Sequence, residues 1–189
     1  MKLAPELPCI LYDQREQIPL RFSPAVLTEK VLLPVADYSL RGASDYVVIE
    51  RKHQGELQSC CGADRERFLQ QLENMRPYPV RHLVIECTAD DVLLGLSRSR
   101  INPLSVLGTL IAAASDWGIT PWFCGDAANA AVVVERILLR EFKRLQAKAK
   151  EAGKKNARLE PKACVHGSWD CAECEWKHGF PSEYINQYR

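Results

Sequence analysis

The sequence lacks any long apolar run. Its first residues, MKLAPELPCILYDQREQ, become charged too soon for a secretory signal, and no stretch approaches the roughly 18 apolar residues of a membrane span. Internal repeats and low-complexity tracts are also absent. These absences predict a soluble cytoplasmic protein that makes no membrane contact.

Disulfide-rich secreted proteins are also excluded, although the chain has eight cysteines. With 189 residues, 47% of them hydrophobic, the chain can build one domain of ordinary size and a small appendage. Five cysteines lie in apolar or mixed segments and are expected to be reduced thiols, mostly in the core: Cys9, Cys60, Cys61, Cys87 and Cys124.

The hydrophobic pattern predicts strands that alternate with helices. Strands are expected at residues 9–13, 31–40, 46–51, 81–87 and 120–124, and helices at residues 64–76, 102–116 and 126–150. This pattern is typical of an α/β domain with a mixed β-sheet flanked by helices. The composition then changes, which predicts a boundary between a domain at residues 1–151 and a basic linker with a small Cys/His-rich tail at residues 152–189.

Two carboxylates and one amine are expected to meet in the hairpin formed by residues 31–51. Asp37 lies near the end of the first strand, and Glu50 and Lys52 share one face at the end of the second. Phosphodiester hydrolysis requires carboxylates that hold one or two divalent ions, and a nearby lysine can offset charge on the transition state. A surface salt bridge between Glu50 and Lys52 would explain those two residues equally well.

Several blocks carry a resemblance to a known family. In order they are YDQRE with Asp13, VADYSL with Asp37, IERKHQGEL, DRERFLQQLENM and HLVIE. At these spacings, residues 8–145 resemble the nuclease domain of the XPF-type structure-specific endonucleases, which has a restriction-endonuclease-like fold. Two departures are evident: Ala36 replaces the glycine usual before the aspartate, and Glu56 stands where the family usually has aspartate.

The resemblance implies a catalytic centre that depends on Mg²⁺ or Mn²⁺. Asp37 and Glu50 would bind the metal, Asp13 would complete the acidic cluster, and Glu56 would contribute a further ligand. Lys52 would assist the attacking water.

Candidate substrate contacts follow from the same resemblance. Arg51 is expected on the opposite face of its strand, where it could contact substrate. Arg65 and Gln71 match family positions beside the site and could contact phosphate or hold ligands, although a solvated helix arginine is the commoner case. Glu86 is interpreted as structural.

The implied function is an endodeoxyribonuclease that cuts DNA at branched, flap or forked structures. The alternative is a noncatalytic DNA-binding subunit that positions a partner nuclease. The family commonly forms dimers through the helices that follow the sheet, so a homodimer is expected, although the alanine-rich stretches at residues 112–114 and 127–134 could equally be internal core. If the source is bacterial, the protein would be associated with the nucleoid.

The tail contains a candidate zinc site. Cys164, Cys171 and Cys174, with His166 or His178 as the fourth ligand, could hold one structural Zn²⁺. Spacing alone does not choose between the two histidines. The alternative is a flexible tail that contains three thiols.

A basic segment precedes the tail. Residues 140–162 carry nine Lys or Arg against three Asp or Glu. The family usually has a tandem helix-hairpin-helix domain after the nuclease domain, and the remaining residues are too few for one. The basic segment and the tail with Trp169 and Trp176 are therefore expected to substitute as DNA contacts, although a solvated helix face and a small tail core are the simpler interpretations.

Overall fold

Six strands form one mixed sheet in a computed structural model that describes residues 7–95 and 101–159, with side chains described as far as residue 152. The strands are β1 (Cys9–Asp13), β2 (Leu27–Val31), β3 (Tyr38–Leu40), β4 (Val47–His53), β5 (Val80–Glu86) and β6 (Thr120–Phe123). Their order in the sheet is β2-β1-β3-β4-β5-β6. The pairs β1–β3 and β3–β4 are antiparallel, and the other neighbours are parallel. The expected α/β architecture with a mixed sheet is confirmed.

Five helices surround the sheet in the described part of the chain. They are α1 (Gln54–Cys61), α2 (Arg65–Met75), α3 (Ala89–Leu93), α4 (Pro103–Ser115) and α5 (Ala127–Leu159). The helices α2, α4 and α5 confirm the sequence-based predictions, and α5 continues nine residues further than expected. The short helices α1 and α3 were not predicted, because each is too short to display a clear amphipathic period.

The predicted strand at residues 31–40 is wrong in its first half. Val31 ends β2, which pairs with β1 in parallel, and residues 32–37 form no strand. Pro34 lies in this segment and has no backbone N–H for a sheet hydrogen bond. The second half, β3, forms the expected hairpin with β4, in which Tyr38 pairs with Ile49.

Alternating residues of the central strands place hydrophobic core on both faces of the sheet. In β4, Val48 belongs to the cluster under α1, α2, α3 and α4, whereas Val47 and Ile49 belong to the cluster under α5. Each fully buried side chain of this size contributes about 1.5–3 kcal/mol. Glu50 follows the parity of Val48, so the first charged residue of β4 is directed into the α1–α2 side of the protein.

The five expected core cysteines are all buried free thiols, which confirms their interpretation. The helices that contain the two alanine-rich stretches have both buried and exposed apolar residues. Ala113, Ala130 and Ala131 are buried in the core, whereas Ile111 and Val132 are exposed. No helix in the described ranges is long and apolar enough to cross a membrane.

The chain divides after Ala149 into two units, and the first, Met1–Ala149, contains the whole sheet. The proposed boundary between residues 151 and 152 stays a prediction. The candidate zinc ligands and tail tryptophans lie outside the described residues: Cys164, His166, Cys171, Cys174, His178, Trp169 and Trp176.

Candidate active site

The end of β4 brings a buried carboxylate and a buried amine together. Glu50 is 1% exposed and Lys52 is also buried, and the Lys52 ammonium group forms an ion pair with Oε1 of Glu50. The ammonium nitrogen also lies 5.8 Å from the centroid of the Phe68 ring in α2. The expectation that Glu50 and Lys52 share one face therefore agrees with the structure.

The second oxygen of Glu50 has no hydrogen-bond partner. Among the buried side-chain polar atoms that the structure describes, Oε2 of Glu50 is the only one left in this state. Burial and the Asp37 carboxylate raise the pKa of Glu50 to about 8, although Lys52 and the nearby Gln71 amide act in the opposite direction. The Gln71 amide lies close enough to lower the Glu50 pKa as a hydrogen-bond donor, but its geometry toward Oε2 is not that of a formed hydrogen bond. A buried carboxylate in this state favours binding of a cation.

Asp37 is held opposite Glu50 by the β3–β4 hairpin. Its backbone N–H donates to the Ile49 carbonyl at 3.1 Å, and its Oδ2 accepts from the Arg51 backbone N–H at 2.8 Å. Burial raises the pKa of Asp37, with Glu56 and Asp13 adding to the increase and the Arg51 amide and Lys52 opposing it. In the absence of a cation, the surroundings of Asp37 and Glu50 therefore make the charged form of each of these two carboxyl groups less favourable.

The residue before Asp37 adopts a left-handed backbone. Ala36 has φ 63°, and it is the only non-glycine residue in the described ranges with a positive φ. The family's glycine at this position meets the same geometric requirement at no steric cost. The departure at Ala36 thus carries strain and leaves the placement of Asp37 intact.

Asp13 is buried, and its oxygens already have partners. Oδ1 accepts from the backbone and Nε of Arg15 at 2.8 and 2.6 Å, and Oδ2 accepts from Nη2 of Arg15 at 3.1 Å and from the Leu33 N–H at 2.7 Å. Burial alone would raise the pKa of Asp13, but these bonds outweigh it and hold the pKa below its ordinary value. Asp13 is linked to the site through its N–H, which donates to the Asp37 carbonyl at 2.8 Å.

Glu56 lies at the start of α1 and participates in its cap. Oε2 of Glu56 accepts from the His53 backbone N–H at 3.2 Å, while Nδ1 of His53 accepts from the N–H groups of Gly55 and Glu56. This capping box orients Glu56 toward the end of β4. Its side chain is exposed, so its remaining oxygen is accessible from solvent.

An open cleft of about 500 Å³ has Asp37, Lys52 and Glu56 in its lining. An adjoining cleft of about 320 Å³ contains Asp13 and Gln71 together with Asp37 and Glu56. The two clefts therefore bring Asp13, Asp37, Glu56, Lys52 and Gln71 together at one edge of the sheet, whereas Glu50 lines neither cleft and is buried as the ion-pair partner of Lys52.

Arg51 lies on the opposite face of β4, as expected, but acidic side chains surround it. Its guanidinium group forms ion pairs with Glu16 and with Oε1 of Glu86, the latter at 2.5 Å, and donates to the Ile18 carbonyl at 2.6 Å. Glu86 pairs with Arg51 and also lines the cleft, so its interpretation as a structural residue stays a prediction. These contacts occupy the Arg51 side chain, and its contact with substrate stays a prediction.

Arg65 is directed toward α4, where its Nη1 donates to Oγ1 of Thr109. This bond links α2 to α4. It does not bring Arg65 to the acidic residues, and a substrate role for Arg65 also stays a prediction.

Sequence reasoning missed five residues that line the cleft, of which three have charged or titratable side chains: Arg15, Glu16 and His53. Burial, and after it the Asp37 charge, raises the pKa of Glu16 although Arg51 pairs with it. The signal was available, because Arg15 and Glu16 follow Asp13 within the block DQRE, and His53 directly follows Lys52.

The fit of a metal ion depends on two carboxylates. No group of three or more His, Cys, Asp or Glu side chains in the described ranges has the arrangement of a complete metal site. Oε2 of Glu50 is buried and has no hydrogen-bond partner, and Asp37 lies close enough to raise the Glu50 pKa. These two carboxylates match the oxygen donors that Mg²⁺ takes in small number, with water or substrate phosphates as the other ligands. The residues present therefore fit a hard divalent ion.

Comparisons with known proteins identify the family and the fold. The model of the ERCC4 domain family matches residues 12–137. Among solved structures, XPF from Aeropyrum pernix has a TM-score of 0.58 at 22% identity, over 76% of this chain and 69% of that chain. XPF from Aeropyrum pernix in complex with DNA has a TM-score of 0.57 at 23% identity, over 75% of this chain and 66% of that one. No curated protein matches in sequence. At these identities the structural likeness establishes the fold.

Proposed function

The chain belongs to the ERCC4 domain family, and on this basis we propose that it is a divalent-metal-dependent endonuclease that cleaves DNA at branched, flap or forked structures. The observation that carries the proposal is the buried Glu50. Its Oε2 has no hydrogen-bond partner, and the Asp37 carboxylate lies close enough to raise its pKa. A buried unpaired oxygen destabilises a fold by about 1–3 kcal/mol. Such a cost is typical of a residue that serves a ligand.

Asp37 and Glu50 are the proposed ligands of Mg²⁺ or Mn²⁺, and Glu56 is a further ligand that the open cleft leaves accessible. When bound, the ion would neutralise phosphate charge and lower the pKa of a water molecule. Asp13 adds negative charge to the cluster, and it could bind the ion directly only by exchanging a bond to Arg15 or Leu33.

Lys52 has the proposed role of assisting the attacking water. Its ammonium group is held on Glu50 and against Phe68, so it is oriented before substrate arrives. A fixed positive charge at this point offsets the negative charge that develops on the phosphate. Gln71, in the adjoining cleft, is the proposed contact for phosphate or for a ligand carboxylate.

DNA is the proposed partner, and the solved complex of a similar protein with DNA supports this. The alternative of a noncatalytic DNA-binding subunit is less well supported. A subunit that only grips DNA gains nothing from the unpaired oxygen of Glu50, whereas a catalytic subunit requires it.

A homodimer and a structural Zn²⁺ complete the proposal. Ile111 on α4 and Val132 on α5 remain exposed, and these are the helices through which the family resemblance implies association. Cys164, Cys171 and Cys174 with one histidine are proposed to hold the zinc ion.

The test is cleavage of end-labelled substrates by the purified protein with Mg²⁺, Mn²⁺ or chelator. The substrates are a 3′ flap, a 5′ flap, a fork, a plain duplex and a single strand of the same sequence. We expect metal-dependent cuts near the junction of the branched substrates that leave 5′-phosphate and 3′-hydroxyl ends. Tight, branch-selective binding without cleavage in either metal would instead indicate the noncatalytic subunit.

A further inference from the structure

A second groove adjoins the catalytic cleft on the α5 side of the sheet. It measures about 600 Å³, within the range of ordinary ligand sites, and its lining includes Tyr12, Ile18, Arg21 and Phe22. Gln17 and Ile18 line both this groove and the cleft over Asp37, so the two adjoin each other. We name it the Phe22 groove.

The Phe22 groove differs chemically from the cleft that it adjoins. Four carboxylates line the cleft, those of Glu16, Asp37, Glu56 and Glu86. Among the described residues that line the groove, Arg21 is the only charged one, and most of the others are aromatic, aliphatic or proline. The groove therefore offers a single charge to phosphates, and aromatic and aliphatic side chains that can pack against nucleobases.

The groove is fixed in position relative to Asp37 and Glu50. Tyr38, which follows Asp37, accepts a hydrogen bond from the Leu20 N–H at 2.9 Å, and its ring packs against the edge of Phe22 with centroids 5.7 Å apart. Arg51, which follows Glu50, donates to the Ile18 carbonyl. Tyr38 and Arg51, the residues next to Asp37 and Glu50, therefore hold the wall of the groove in place. A DNA strand bound in the cleft would meet the groove at a fixed distance from the two carboxylates.

We propose that the Phe22 groove binds unpaired nucleotides of the DNA strand that leaves the catalytic cleft. A duplex keeps its bases stacked inside and cannot present their faces to Phe22 or Ile18, whereas an unpaired arm can. Ile18 is 77% exposed on the wall between groove and cleft, where it contacts such a base first. Arg21 supplies one cation for the backbone. This inference rests on the proposed action on branched DNA, and it adds the place on the protein where the unpaired arm would bind.

The test measures binding rather than cleavage. Fluorescence anisotropy with chelator present compares a forked DNA with a blunt duplex of the same sequence, for the wild type and for Ile18→Ser and Phe22→Leu. Leu32→Ser is the matched control, because Leu32 is 65% exposed and lies outside the lining of the groove. Thermal melts followed by circular dichroism establish that each variant is folded.

We expect the wild type to prefer the fork, and Ile18→Ser to weaken fork binding by about tenfold, the loss of one apolar packing contact between a side chain and a base. Duplex binding should not change, and Leu32→Ser should behave like the wild type. Removing the bases of the unpaired arm as abasic sites should weaken wild-type binding equally and should have little further effect in Ile18→Ser.

Three results would overturn the inference: equal wild-type affinity for fork and duplex, equal affinity for normal and abasic arms, or equal losses in Ile18→Ser and Leu32→Ser. The result is independent of catalysis. If the protein binds forks through the groove but does not cleave them, the groove proposal stands and the proposed catalytic function fails. If the protein cleaves forks but the groove variants bind like the wild type, only the groove proposal fails.

Discussion

Replacing Glu50 with glutamine should stabilise the metal-free protein at neutral pH. Burial raises the pKa of Glu50 to about 8 from an ordinary value of 4.5. A carboxyl group with a raised pKa in the folded state contributes fully to stability below its unfolded pKa, and that contribution is lost as the pH rises toward the folded value. The chelated wild type should therefore lose stability between pH 4.5 and pH 8.

The size of the effect follows from the same two pKa values. Between pH 4.5 and pH 7, each pH unit costs about 1.4 kcal/mol, so the penalty reaches about 3 kcal/mol at pH 7. Glu50 is fully buried, so solvent does not screen this penalty. Glu50→Gln resembles the protonated form, keeps an acceptor for Lys52 and carries no such penalty. The two proteins should be equally stable near pH 4.5, and the variant should be more stable by roughly 3 kcal/mol at pH 7.

Urea unfolding with chelator, at half-unit steps from pH 4.5 to pH 8, measures the difference directly. The other titrating groups are shared by both proteins, so they largely cancel in the comparison. Parallel stability curves across this range would refute the reasoning, because they would mean that folding does not perturb Glu50. Saturating Mg²⁺ should reduce the gap, since only the carboxylate gains from the ion.

Four further predictions address the site, the backbone, the tail and the assembly. Asp37→Ala should abolish metal-dependent cleavage in the labelled-substrate assay while anisotropy shows DNA binding largely kept; loss of both would mean that Asp37 serves the fold. Ala36→Gly should change the free energy of unfolding by less than about 1 kcal/mol, because relief of left-handed strain offsets the lost methyl group and the entropy of glycine. The control Ala113→Gly, inside α4, should lower the free energy of unfolding by about 2 kcal/mol. Equal losses in the two variants would argue against strain at Ala36. Elemental analysis should find about one Zn²⁺ per chain, reduced in Cys171→Ser with no change in the melting of the sheet domain, and zinc-free protein never exposed to chelator would contradict the tail site. Light scattering at tens of micromolar should give the mass of a dimer, and a monomer mass would exclude it under those conditions.

The position of the acidic residues was predictable because it depends on strand periodicity. A strand of the pattern VVIERK places Glu50 and Lys52 on one face, and a hairpin returns Asp37 to their level. These relations involve neighbours along one or two strands, so local sequence determines them. The mixed sheet was predictable for the same reason, from the alternation of apolar strands and amphipathic helices.

The partners of the charged residues were not predictable, because they depend on tertiary contacts. Asp13 accepts from Leu33, twenty residues away, and Arg51 pairs with Glu86, 35 residues away, so no local pattern reports either bond. The left-handed backbone at Ala36 was missed because alanine normally indicates a right-handed conformation. The capping role of Glu56 depends on α1, a helix with too little amphipathic pattern to be seen in the sequence.

The central claim is that the carboxylates at the ends of β3 and β4 make this protein a DNA endonuclease. The most direct measurement is the single-turnover cleavage rate of a forked DNA with Mg²⁺ for the wild type, Glu50→Ala and Glu29→Ala, purified identically. Glu29 is a partly exposed carboxylate on the edge strand β2, where it pairs with Arg41, and it serves as the control far from the cleft. The account predicts cleavage by the wild type and by Glu29→Ala, and none above background by Glu50→Ala. Cleavage by Glu50→Ala at the wild-type rate would contradict it.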